Sequence, residues 1–114
     1  MKKLILILLF LGLCLMVKSQ EISGDGLVVV EFNAPFSNTK CEYLEKLSDC
    51  KTARIDISKN PKIGPKHKVV VVPTLIIFNN GKEVARFQAN IMMQLETTKK
   101  EVQGEIDEIL MESF

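Results

Sequence analysis

Histidine is nearly missing from this 114-residue chain: His67 is the only one, accompanied by three cysteines at distant positions. A metal centre needs paired ligands at fixed spacing, so these residues offer none, and no metal or organic cofactor is expected. No glycine-rich stretch could cradle a phosphate, and no serine has the partners of a nucleophilic triad. Basic residues are not gathered into a stripe with interleaved aromatics, so nucleic acid is not an expected partner. Long apolar runs are also scarce. The longest, Leu4 to Val17, would span about 21 Å as a helix, short of the roughly 30 Å of hydrocarbon in a bilayer.

That run follows Met1-Lys2-Lys3 and precedes Lys18-Ser19-Gln20. A positive start, a short apolar middle and a small residue before the cut are the layout of a secretory signal peptide. Ser19 and Val17 fit the two positions that a signal peptidase reads, so residues 1–19 are expected to be removed and the mature chain to begin near Gln20. A lipid-modified start at Cys14 fits less well, because Leu13 is bulky where a small residue is needed. Residues 20–114 suffice for one small domain. Losing Lys2, Lys3 and Lys18 turns 15 basic and 14 acidic residues into 12 and 14. Cys41 and Cys50 remain, too few for a disulfide scaffold. Export would place both where oxidation is permitted, with no stable membrane insertion after cleavage.

Leu27 to Phe32 is a continuous, β-branched apolar run, which fits a central strand buried on both faces. Asn33 to Thr39, with Pro35, reads as a loop. Cys41, Tyr43, Leu44 and Leu47 then suggest one face of a two-turn helix. Ala53 to Ile57 alternates like an edge strand with one wet face. Asn60-Pro61 opens a short helix that Pro65 keeps short, and His67, between Lys66 and Lys68, is expected in solvent. Thr74 to Phe78 is a second buried strand. Asn80-Gly81 is a hairpin signal, since a tight primed turn needs positive φ at both central residues, and Glu83 to Gln88 returns as its partner. Thr98 and Glu101 form a capping-box pattern ahead of a closing helix whose buried face is Val102, Ile106, Ile109 and Leu110.

Three stretches resemble the thioredoxin family: Val30-Glu31-Phe32-Asn33-Ala34-Pro35-Phe36, Ile55-Asp56-Ile57-Ser58-Lys59-Asn60-Pro61, and Val71-Val72-Pro73-Thr74 through Lys82. The resemblance implies an α/β, thioredoxin-like fold: a central mixed four-stranded sheet flanked by helices, in the order β-α-β-α-β-β-α. The family's amino-terminal strand and helix are not expected here, because only seven residues of the expected mature chain, 20–26, precede Leu27. The resemblance also implies a cis bond at Val72–Pro73. At the chemical centre the pattern departs. Where thioredoxins carry two cysteines, a gapless reading places Ser37 and Lys40, with Cys41 one residue beyond; a one-residue insertion would put Cys41 on the second position with no cysteine at the first, so ordinary dithiol chemistry within one site is not expected.

Cys41, beside Lys40 at an expected helix start, is the one candidate for a catalytic thiol, since a helix dipole and a nearby ammonium favour thiolate; a buried hydrophobic cysteine is the alternative. A bond between Cys41 and Cys50 stays open, though the spacing is tight for it. Glu31 stands at the position of the family's buried carboxylate and Arg54 at a basic position facing it; without the cysteine pair, a structural ion pair is the preferred reading. The resemblance implies a polypeptide groove formed by Phe36, Ser37, Val72, Pro73, Ile91 and Met92, with Ile91-Met92-Met93 equally readable as a core cap. The expected function is therefore an exported domain that binds unfolded or extended polypeptide beside Pro73. The alternative is a single-thiol protein in which Cys41 exchanges with a thiol or disulfide partner protein.

Overall fold

The computed structural model describes residues 25–112; the expected signal peptide lies outside them. Strand β1 (Leu27–Asn33) leads through short 3-10 turns at Pro35–Ser37 and Leu44–Lys46 into β2 (Lys51–Asp56). A single-turn helix α1 (Ile63–Lys66) precedes the hairpin of β3 (Thr74–Asn79) and β4 (Lys82–Gln88), and helix α2 (Lys99–Glu112) closes the order. The sheet runs β2-β1-β3-β4. β1 is parallel to β2 and antiparallel to β3, and β3 is antiparallel to β4.

Alternation along the central strands divides the core in two, because successive side chains leave a strand on opposite faces. Val29, Leu75 and Ile77 pack with Leu44, Leu47, Val102 and Ile106. Val30, Phe32, Ile76 and Phe78 pack on the other side with Ile63. Removing each such side chain from water contributes about 1.5–3 kcal/mol. α2 is held at its start by Thr98, whose Oγ1 accepts the Glu101 N–H at 3.3 Å. In the hairpin, Asn80 and Gly81 have φ of 53° and 82°, the two positive values that a primed turn requires. The Asn80 side chain also accepts the Gly26 N–H at 2.7 Å, fastening the turn to the start of β1.

The expected helix over Cys41 to Leu47 does not form. Cys41, Leu44 and Leu47 are all buried, but they recur every third residue, which is the period of a 3-10 turn rather than of an α-helix. The segment accordingly makes only a short turn, with Lys46 N–H bonding Tyr43 O and Leu47 N–H bonding Leu44 O. His67 also departs from expectation. Its ring lies 5.4 Å from the rings of both Phe32 and Phe78, so it packs against the core instead of standing in solvent among the lysines.

Candidate functional site

One end of the sheet gathers the loops that carry the candidate residues: those after β1, before β3 and after β4. The register fixes this, since Phe32 at the end of β1 pairs with Thr74 at the start of β3, which pairs with Gln88 at the end of β4. Val72–Pro73 enters β3 there, and its peptide bond is cis. Among the described residues, the N–H and C=O of Val72 have no hydrogen-bond partner, whereas Pro73 O accepts the Ala89 N–H at 3.0 Å. Val72 is buried as a whole residue, with its backbone polar groups unanswered among the described residues.

Two clefts flank this segment. A cleft of about 220 Å³ is walled by Phe36, Ile57, Val69 to Val72, Asn90, Ile91 and Met93. The other, of about 280 Å³, holds Cys41, Thr39, Lys40, Tyr43, Pro73 and Gln94. Phe36, Val70 and Ile91 are 68, 78 and 93 % exposed, an unusual placement for large apolar side chains sharing one cleft. Met92, expected on the groove, is exposed and does not line the cleft, whereas its neighbour Met93 does. Asn90 explains the loop's shape: its Oδ1 accepts the N–H of both Met92 and Gln94, forcing a tight turn at Ile91 and Met92.

Ser37, expected on the groove, is instead buried. Its hydroxyl donates to Asn33 Oδ1 at 2.6 Å, and the same oxygen accepts the Ala34 N–H at 2.8 Å. Ser37 therefore braces the loop after β1. Asn33, which the sequence reading passed over, organises the loop by also donating to Thr39 O at 2.6 Å. An asparagine one residue before Ala-Pro at a strand end is the available signal, since its side chain readily bonds nearby backbone. Thr39 then donates to Met93 O at 2.9 Å, tying two walls of the groove together.

Glu31 and Arg54 meet directly. Arg54 Nε lies 2.7 Å from Glu31 Oε1, with Glu31 fully buried and the Arg54 side chain 35 % exposed. Arg54 also pairs with Glu45. The pair grips one residue at both ends: Glu31 Oε2 accepts the Cys41 N–H at 2.5 Å, and Arg54 donates to Cys41 O at 2.6 Å. Both carboxylate oxygens are thus committed to holding backbone and guanidinium.

Cys41 is 2 % exposed, and both it and Cys50 are free thiols. Burial pushes the Cys41 thiol up from its ordinary value, a hydrogen bond with the Tyr43 backbone offsets part of this, and the Glu31 charge pushes it up again. No helix starts at Cys41, so the expected dipole assistance to a thiolate is missing. Burial also raises Cys50, with help from Asp49. A larger, open crevice of about 670 Å³ lies at the carboxyl ends of β1 and β2. Its Asn33 and Arg54 are already engaged in the contacts above, and Asn38, Lys40, Glu42 and Asp56 also line it. Among the described residues no cluster of metal-ligating side chains occurs, and no helix is long and apolar enough to cross a membrane.

Residues 17–103 match the thioredoxin family model. The chain is 35 % identical over 72 residues to thioredoxin-2 of Saccharomyces cerevisiae, covering 56 % of this chain and 68 % of the yeast protein. It is 33 % identical over 82 residues to a thioredoxin of Chlamydia trachomatis, covering 61 % and 79 %. Among solved structures, a mutant thioredoxin from Halobacterium salinarum superposes with a TM-score of 0.57 at 22 % identity, covering 74 % of each chain. A designed protein superposes at 0.61 with 23 % identity, covering 76 % of this chain and 83 % of that one; these two likenesses speak to the fold. The family match over most of the sequence, the sheet order and the loops gathered around Pro73 agree: the chain belongs to the thioredoxin family.

Proposed function

We propose that this protein is an exported thioredoxin-like domain that binds extended polypeptide in the groove beside Pro73, without dithiol oxidoreductase chemistry. The observation that carries the reading is the unanswered N–H and C=O of Val72, which lines one apolar cleft with exposed Phe36 and Ile91. An extended chain could add its own N–H and C=O there, as strand addition does at open edges, while its alternate side chains enter the clefts. Backbone pairing gives affinity with little sequence demand, so binding is weak and broad. Family membership points to thiol- and disulfide-bearing proteins as the class of partner. Ser37 and Lys40 at the two cysteine positions, and the buried Cys41, support binding over exchange.

Export rests on the order of charge, apolar run and small residue in positions 1–19. Intact-mass measurement of protein recovered outside the cytoplasm should give a chain starting near Gln20; a full-length cytoplasmic species as the sole form contradicts export. Binding is tested by fluorescence titration of labelled unfolded peptides. Phe36→Ala and Ile91→Ala should weaken binding with circular dichroism unchanged, and Cys41→Ser should not. Equal, negligible binding by all four proteins removes the groove reading.

A second reading is favoured by one observation: Cys41 shares a cleft with Pro73. In it, Cys41 forms a mixed disulfide with a partner thiol, which is oxidised together with Cys41 by a disulfide that accepts both electrons. Turnover in a disulfide-reduction assay that disappears in Cys41→Ser would establish it.

A further inference from the structure

One stretch of chain bordering the groove carries charge of one sign. From Ile57 to Lys82 the chain has no aspartate or glutamate, while Lys59, Lys62, Lys66 and Lys68 are all exposed. The two ends of this basic stretch reach the apolar cleft, Ile57 from one side and Val69 to Val72 from the other. Of the acids nearby, Asp56 accepts the Ser58 hydroxyl at 2.5 Å and Glu83 pairs with Arg86 at 2.8 Å, while Glu42 lines the other cleft, with Cys41 and Pro73. An apolar cleft, the unpartnered backbone of Val72 and a border of exposed lysines therefore lie side by side.

We propose, resting on the groove reading above, that the preferred client is an acidic-apolar extended segment. Its backbone pairs with Val72, one bulky apolar side chain enters the cleft of Phe36, Val70, Ile91 and Met93, and flanking aspartates or glutamates face the lysines of 59–68. A peptide fits these features better than an anionic membrane surface. Acyl chains laid over Val72 would bury its N–H and C=O without partners, which is costly, whereas a peptide backbone satisfies both. The lysines are exposed, so they act by screened attraction and steering, and their contribution falls with salt.

The test uses two labelled peptides with the same apolar centre, one flanked by glutamate and the other by lysine, titrated against the mature protein. The glutamate peptide should bind about five-fold more tightly at about 0.05 M salt, the gap closing toward unity at about 0.5 M. The variant Lys62→Glu/Lys68→Glu should reverse the order. The variant Lys51→Glu/Lys82→Glu, with charges at the opposite end of the sheet, should leave it unchanged; thermal melts confirm that both fold. Equal binding of the two peptides, still weakened by Phe36→Ala, overturns the charge preference and leaves the groove standing. Binding of neither peptide overturns both. Sedimentation with phosphatidylserine vesicles while neither peptide binds assigns the basic face to a membrane and likewise overturns the proposal.

Discussion

Arg54→Ala breaks the grip on Cys41 in a way whose size can be worked out. It removes the guanidinium that lies 2.7 Å from the fully buried Glu31 and the donor 2.6 Å from Cys41 O. Glu31 is left with the Cys41 N–H at 2.5 Å and a longer contact to Asn33 at 3.4 Å. Losing one partner of a fully buried pair costs about 3–5 kcal/mol. The Arg54 side chain is 35 % exposed, so water softens the loss and about 2–3 kcal/mol is expected. Glu31→Gln keeps an acceptor for the Cys41 N–H and leaves Arg54 its contact with Glu45, so it should cost about 1 kcal/mol. In Glu31→Leu/Arg54→Met no charge is stranded, and its loss should fall below the sum of the Glu31→Leu and Arg54→Met losses. Urea denaturation measures each variant as a shift in midpoint at constant slope. Thiol labelling under native conditions gives a second readout, because a loosened Cys41 should react faster in Arg54→Ala. A loss under about 0.5 kcal/mol, with unchanged labelling, would refute the grip as a source of stability.

Other consequences concern the thiols, the closing helix and the core. Burial raises Cys41 and Cys50 above their ordinary values, so the folded protein holds these protons to higher pH than the unfolded chain. Their contribution to stability is complete below about pH 8.5, the ordinary thiol value, and is lost as pH rises through the folded values. The urea midpoint should fall across that alkaline window, with a smaller slope in Cys41→Ala; identical slopes would contradict the shift. Thr98→Ala removes the acceptor of the Glu101 N–H and should cost about 1 kcal/mol by thermal melting. Ile106→Ala empties a fully buried position and should cost about 2–5 kcal/mol in urea, whereas a change near zero would place α2 off the core.

What could be read in the sequence was set by local rules. Asn80-Gly81 has few other uses, and the apolar runs of β1 and β3 could only be central strands. Thr98 with Glu101 marked the start of α2. The loop after β1 was less legible because tertiary contacts decide it. Nothing local says that Ser37 turns inward to Asn33, or that Glu31 and Arg54 hold the Cys41 peptide from two sides. The spacing of Cys41, Leu44 and Leu47 carried the information about the 3-10 turn, but a period of three over so short a span also passes for a helix. His67 was misread because its charged neighbours are a sequence property, whereas its packing against Phe32 and Phe78 depends on where α1 docks. Met93 and Met92 are adjacent, and only the turn imposed by Asn90 decides which of them faces the cleft.

The claim at the centre of this account is that Val72 offers its backbone to an extended chain and that no thiol is required. Amide NMR on ¹⁵N-labelled protein tests it residue by residue during titration with an unfolded, cysteine-free peptide. The account predicts the largest shifts at Val72, Phe36 and Ile91, equal in the wild type and in Cys41→Ser. Shifts confined to the exposed edges of β2 or β4, or absent altogether, would contradict it.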